Sequence, residues 1–363
     1  MKRRNFLASS SALAAANAFS RVHVSANDPK PNEVVGHGEF RYRVIRDWAQ
    51  INPLNTPLLN CHEMVQDRRG RLIMMGDHTQ NNVLIFDRSG ELVDSWGTMF
   101  PGGHGLTHVD EGDDEFLLLT DAGWRLDESG QSVLDSGRVT KTTLKGRVIF
   151  DIAHPQTIGI YEPGTAFGPT ETAVAPNGDI YVADGYGQDY ILQYDSNGRY
   201  IRHWGGRKNQ DKNYNLINAH GVAVDTRDPS NPELIVTSRA QCCFKHFTLD
   251  GKWLRTVQLP NMRICRPVID ESNVYAGVCW STPKGGGNTH GSTGFVTVLE
   301  GDRVVSNPGG TSPEYIDGEL RPSFQINDAP IMHGHDVCVD RDKNLFVCQW
   351  NANQTPPLLL ERV

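Results

Sequence analysis

The sequence predicts an all-β chain folded as a six-bladed β-propeller. Three observations carry that prediction: a four-strand pattern that recurs along the chain, six unit starts spaced like propeller repeats, and an alternating N-terminal segment able to supply the strand that the last unit lacks.

The recurrence is clearest at the hairpins. Residues 83–97 (VLIFDRSGELVDSWG), 191–205 (ILQYDSNGRYIRHWG) and 244–257 (FKHFTLDGKWLRTV) each read as an alternating strand, a turn ending in Gly and a second alternating strand. Upstream of each lies another strand pair, marked by LIMMGD at 72–77, DIYVADGYG at 179–187 and ELIVTSR at 233–239. The units begin at His62 (HEMVQD), His104 (HGLTHVD), Thr170 (TETAVAP), His220 (HGVAVD), Cys265 (CRPVID) and His335 (HDVCVD). Their steps of 42, 66, 50, 45 and 70 residues imply insertions in the second and fifth units. The KGGGNTHGSTG stretch at 284–294 reads as a mobile loop on the fifth. NLFVCQW (344–350) and PLLLERV (357–363) leave the sixth unit one strand short, and FRYRVIRDWA (40–49) completes it. Closing the ring in this way removes an edge that would template aggregation.

Ahead of the propeller, KRRNFL (Lys2 to Leu7) is followed by an Ala/Ser-rich run and a small-x-small site at Ala16-Asn17-Ala18. The apolar stretch Phe6–Phe19 has 14 residues, too few for a spanning helix, so the order is that of a cleaved export signal. The paired arginines followed by Phe-Leu resemble a twin-arginine signal. The expected organisation is a signal at 1–18, a linker at 19–39 and the propeller at 40–363, exported to the periplasm or secreted.

With 35 Lys+Arg against 43 Asp+Glu and a net charge of −8, the surface offers no basic run for nucleic acid or an anionic membrane. The seven cysteines form no CxxC pair, so no thiolate zinc framework is readable. Vicinal Cys242 and Cys243 in an alternating strand point to opposite faces and do not pair. The expected protein is a monomer acting on a small molecule or a peptide C-terminus.

Residues just before the innermost strand of each blade gather at one mouth of a propeller channel. Four of those six are histidines: His62, His104, His220 and His335, joined by Thr170 and Cys265. Neutral imidazole is a common zinc ligand, and three such side chains with one open position make a catalytic-type site. Which three bind is left open by the repeat. Channel lining bonded to water is the alternative for any single member.

The order HGLT (104–107), PTETAVAPNGDIYVADGYG (169–187), AHGVAVD (219–225) and HGHDVCVD (333–340) resembles the catalytic core of the peptidyl-α-hydroxyglycine α-amidating lyases, six-bladed propellers with NHL-type repeats. The resemblance covers roughly residues 60–360 and rests on short motifs. It implies zinc at His104, His220 and His335, a catalytic tyrosine at Tyr186 in DGYG, and a carboxylate-binding arginine at Arg239 in TSRAQ. It also implies a structural calcium in the channel, with Asp336 as its carboxylate and Met64 and Leu106 as carbonyl donors. Departures accompany it. The family's second arginine, on the first blade, is replaced at GDHTQ (76–80), where Asp77 and His78 stand. The methionine two residues before the last zinc histidine is His333, and the cysteine after the tyrosine is Gly187. His62 has no family counterpart, and His62, His78, His333 and Cys265 are secondary candidates for the site.

The implied reaction cleaves a C-terminal α-hydroxyglycine to a peptide amide and glyoxylate. Two rival readings are a noncatalytic NHL propeller that binds a protein or glycan around a structural metal, and a calcium-dependent lactonase-like propeller. Imidazole at the axis suits zinc better than calcium.

Overall fold

The computed structural model describes residues 33–126, 129, 131–283, 291 and 293–363; the expected export signal and most of the 284–294 loop lie outside the described residues. Six antiparallel sheets stand around a central axis, each running outwards from an inner strand. Blade one comprises Cys61–Gln66, Leu72–Gly76, Val83–Phe86 and Leu92–Trp96. Blade two comprises Gly103–Glu111, Asp114–Asp121, Arg138–Thr143 and Val148–Asp151. Blade three follows at Glu171–Val174, Ile180–Ala183, Tyr190–Tyr194 and Tyr200–Gly205, and blade four at Ala219–Asp225, Glu233–Ser238, Cys243–Thr248 and Trp253–Gln258. Blade five has Arg263–Asp270, Asn273–Trp280, Phe295–Glu300 and Arg303–Ser306. The second-unit insertion carries a small hairpin (Trp124–Leu126 with Ser132–Leu134), as does the fifth (Tyr315–Ile316 with Glu319–Leu320).

Blade six closes the ring. Gly334–Val339, Leu345–Gln349 and Leu358–Arg362 are joined by Phe40–Ile45, which pairs antiparallel with the C-terminal strand from Tyr42 against Arg362 to Ile45 against Leu359. The propeller starts earlier than Phe40, which corrects the expected 19–39 linker. Val34–His37 folds back as a fifth strand, paired with Phe40–Ile45 from Val34 against Arg43 to His37 against Phe40. Gly36 makes the return possible: it has φ +96°, and a Cβ there would lie 2.1 Å from the Phe40 carbonyl oxygen.

The ring is held by six apolar clusters, one between each pair of neighbouring blades. Strand alternation builds them. In VLIF (83–86), Val83 and Ile85 pack towards blade two while Leu84 and Phe86 pack towards blade six. All four are buried, so the strand reads as a continuous apolar run, and each such side chain contributes roughly 1.5–3 kcal/mol. Among the described residues there is no α-helix, and no helix long and apolar enough to cross a membrane.

The cysteines are all free thiols. Cys242 is not in the strand expected for it. It sits in the left-handed conformation (φ 53°) after a short turn of 3-10 helix (Arg239–Gln241), and the strand begins at Cys243.

Candidate metal centre and active site

Four of the inner strands bring two consecutive side chains to the axis (His62 and Glu63, Thr170 and Glu171, Cys265 and Arg266, His335 and Asp336), which regular pleating does not allow. The register explains how. The pairing of the first two strands slips between Cys61 and Glu63, Gly103 and Leu106, Ala219 and Val222, Ile264 and Pro267, and Gly334 and Asp336. Each irregularity brackets an axial residue, and a bulge of this kind re-aims side chains. Gly105 and Gly221 stand hard against the neighbouring blades. A Cβ on Gly105 would lie 2.6 Å from the Thr170 oxygen, and one on Gly221 2.7 Å from the Arg266 Cα.

The upper layer brings His62, His104, His220 and His335 together, buried to between 1% and 5% exposure. Ring centroids of neighbouring members are 4.7–5.1 Å apart. His62, His104 and His335 each bring a ligand atom within 4.8 Å of the other two, and His220, Cys265 and His335 do the same. His104 Nδ1 lies 2.8 Å from the Thr170 carbonyl, and His335 Nδ1 lies 2.9 Å from that of His62. A carbonyl can only accept, so both rings carry the proton on Nδ1 and the lone pair on Nε2. Burial foremost, with crowding by neighbouring imidazoles and Arg239, holds His104, His220 and His335 well below the ordinary imidazole value. They are neutral at pH 7 and suited to a borderline divalent metal. The buried Nδ1 atoms of His62 and His220 have no hydrogen-bond partner.

Tyr186 and Arg239 meet this layer from the loops after the second strands of blades three and four. The Tyr186 hydroxyl is 3.2 Å from His104 Nε2, 3.3 Å from His220 Nε2 and 3.4 Å from Arg239 Nη2. Burial raises the phenol above its ordinary value, although Arg239 pulls the other way, so the proton stays on at neutral pH. Arg239 is 5% exposed. Its Nε donates to Asn218 Oδ1 at 2.5 Å, its Nη1 approaches Cys265 Sγ at 3.8 Å, and its guanidinium lies 4.9 Å from the Trp280 ring centre. Trp280, missed in the sequence, occupies the same repeat position on blade five and was legible by that alignment.

The other candidates divide. Cys265 belongs to the axial cluster. His78 does not: its Nδ1 accepts the Gln80 N–H, making a local turn. His333 is buried with its two ring nitrogens against the Asn351 and Gly291 carbonyls, 3.2 and 2.9 Å away, and its ring beside Trp350. It supports the rim.

Below the histidines, the donors expected for calcium already hold a cation. Arg266 places Nε 3.0 Å from Asp336 Oδ1 and Nη2 2.6 Å from Oδ2, and donates to the carbonyls of Leu106 (2.9 Å) and Met64 (3.1 Å). Glu63 and Glu171 approach the same guanidinium at 3.5 and 3.6 Å. The set therefore fits a planar five-donor cation and does not fit calcium, because the oxygens that would ligate the ion are turned to the guanidinium. Glu63, Glu171 and Arg266 were not singled out in the sequence, yet each stands one position after an axial residue, as Asp336 does.

No family model matches the chain. Over 151 residues it is 25% identical to the Caenorhabditis elegans protein named "Probable peptidyl-alpha-hydroxyglycine alpha-amidating lyase", a match spanning 41% of this chain and 39% of that relative. Among solved structures, a gluconolactonase of Xanthomonas campestris superposes with TM-score 0.55 and 12% identity, covering 88% of this chain and 89% of that one. A catalytically inactive variant of virginiamycin B lyase from Staphylococcus aureus, solved with quinupristin, superposes with TM-score 0.53 and 9% identity, covering 90% and 100%. These likenesses are of fold. The chain is a six-bladed β-propeller that resembles, over part of its length, an α-amidating lyase.

Proposed function

We propose that the protein is an exported, zinc-dependent lyase that cleaves a C-terminal α-hydroxyglycine, or a similar small carbinolamide, to an amide and glyoxylate. The observation that carries the reading is the placement of the Tyr186 hydroxyl within 3.4 Å of His104, His220 and Arg239 at the mouth of a neutral imidazole cluster. The cluster suits a metal on the chemistry of its donors: two rings with Nδ1–H committed to carbonyls, and buried lone pairs without partners. His104, His220 and His335 would hold zinc. When bound, zinc supplies a Lewis acid that brings the pKa of a hydroxyl towards about 7.

The chain's own groups then have defined tasks. Arg239 would take the terminal carboxylate by a two-pronged contact, its guanidinium steadied by Asn218 and Trp280. Tyr186, protonated at neutral pH, would give its proton to the departing amide nitrogen as the C–N bond breaks, and recover one from the substrate hydroxyl as its oxygen becomes the aldehyde of glyoxylate. Burial excludes bulk water from the transfer.

One observation favours a second reading, a noncatalytic propeller that binds a protein or glycan. A groove of about 610 Å³ lined by Lys212, Gln241, Lys245 and Arg255 lies on blade four, outside the axial mouth. Metal content by mass spectrometry, followed by a glyoxylate-release assay on an α-hydroxyglycine peptide, separates the two. The lyase reading expects about one zinc per chain, lost in His104→Ala, His220→Ala and His335→Ala, and turnover. Metal without turnover favours the binding propeller, and no bound metal overturns the metalloenzyme.

A further inference from the structure

His62 is the one axial histidine for which the lyase resemblance has no role. Its ring is nonetheless oriented by a carboxylate. Asp77, in the loop after the second strand of blade one, places Oδ2 3.1 Å from His62 Nε2. The carboxylate is itself fixed by the Asn60 backbone N–H at 2.9 Å and by Asn60 Nδ2 at 2.7 Å. An ionised carboxylate only accepts, so the imidazole proton resides on Nε2 and the lone pair on Nδ1. That Nδ1 is buried and has no hydrogen-bond partner, on a residue 5% exposed. An acceptor left so lowers stability unless something binds it.

The lone pair belongs to a ring standing among the others. The His62 centroid is 4.8 Å from those of both His104 and His335. The three residues can each present a ligand atom within 4.8 Å of the other two. The His62 carbonyl also accepts the Nδ1–H of His335, so one residue presents its own ring and orients its neighbour's.

We infer that His62 is a fourth metal ligand through Nδ1, with Asp77 as the positioning carboxylate behind it, so that the axial centre is a four-imidazole site for a first-row divalent metal. The inference rests on the metal-centre reading above and deepens it. Its chemical consequence differs from that of three histidines. Four imidazoles fill a tetrahedral ion, so substrate would reach zinc only by expanding it to five ligands, a step that iron(II), cobalt(II) and nickel(II) make more readily.

The test titrates metal-free full-length protein with zinc(II) and cobalt(II), reading affinity by competition with a chromophoric chelator and ligand number by the visible cobalt spectrum. His62→Ala is expected to weaken binding by about 10–100-fold and to change the cobalt bands; Asp77→Asn, which keeps the ring, is expected to weaken it by about 10-fold. His78→Ala, outside the cluster, should leave both readouts at wild-type values. Should His62→Ala fail to fold, Asp77→Asn carries the test. Wild-type affinity and an unaltered cobalt spectrum in the folded His62→Ala or Asp77→Asn protein, with metal lost in His104→Ala and His335→Ala, would overturn the fourth ligand and leave the three-histidine centre standing. Absence of binding by the wild type would overturn both.

Discussion

Tyr186 is the side chain on which the proposed chemistry turns. Its hydroxyl touches two axial imidazoles and Arg239, and none of these contacts requires it for the packing of a blade. Tyr186→Phe should therefore retain metal and stability while lowering glyoxylate release by about 10²–10⁴-fold, read by comparing metal content with turnover. The axial histidines also make a stability prediction. The His220 pKa lies well below its unfolded value of 6.5, chiefly through burial and then through Arg239. Below pH 6.5 the unfolded chain thus takes up protons that the folded one does not, and the stability due to this ring, complete above 6.5, falls with pH. Asp184, raised by burial to about 7, acts in the opposite sense over the same window, so the difference between two proteins is the useful quantity. In denaturant unfolding of metal-free protein from pH 7.5 to 5, the slope against pH should be shallower in His220→Asn than in wild type; equal slopes would show that His220 titrates normally. The histidines were readable because they recur at one place in the repeat. Their tautomers were not, since those depend on carbonyls contributed by other blades.

Among the strands, Phe40–Ile45 has the largest consequence, because it pairs the two ends of the chain. Tyr42 is fully buried in the cluster between blades five and six, and its hydroxyl accepts from Arg362 Nη1 at 3.0 Å. Tyr42→Ala should cost about 3–5 kcal/mol in equilibrium unfolding, a value expected of a large aromatic removed from a core. The surface pair Arg43 and Glu361 on the same strands should contribute under about 1 kcal/mol, so Arg43→Ala tests whether closure rests on packing or on charge. Alternation announced this strand in the sequence. It did not announce Val34–His37, where only Val35 is buried and the segment exists by virtue of the sheet edge it covers.

Across the molecule, the axis is organised in two layers, imidazoles above and a buried charge network below. Arg266 is the cation of that network, meeting Asp336, Glu63, Glu171 and the carbonyls of Leu106 and Met64 on four other inner strands. Removing it leaves buried carboxylates unpaired, so Arg266→Ala should lose about 3–5 kcal/mol. Because the emptied position is lined by carboxylates and carbonyls, calcium should restore part of that loss in the variant and leave the melting temperature of the wild type unchanged. A rise in the wild type on adding calcium would show that the guanidinium is not the resident cation. The number of blades, the strand that closes the ring and the column of axial histidines follow from periodicity along the chain, because a repeat places equivalent residues at equivalent points around an axis. Which atoms meet at that axis does not follow from periodicity. Five bulges re-aim the inner strands, three of them turning two successive side chains inwards, and residues more than 200 positions apart, such as Met64 and Arg266, then compete for one small space. The outcome there is set by size, charge and hydrogen-bond geometry across six blades at once, which no single unit of the sequence contains.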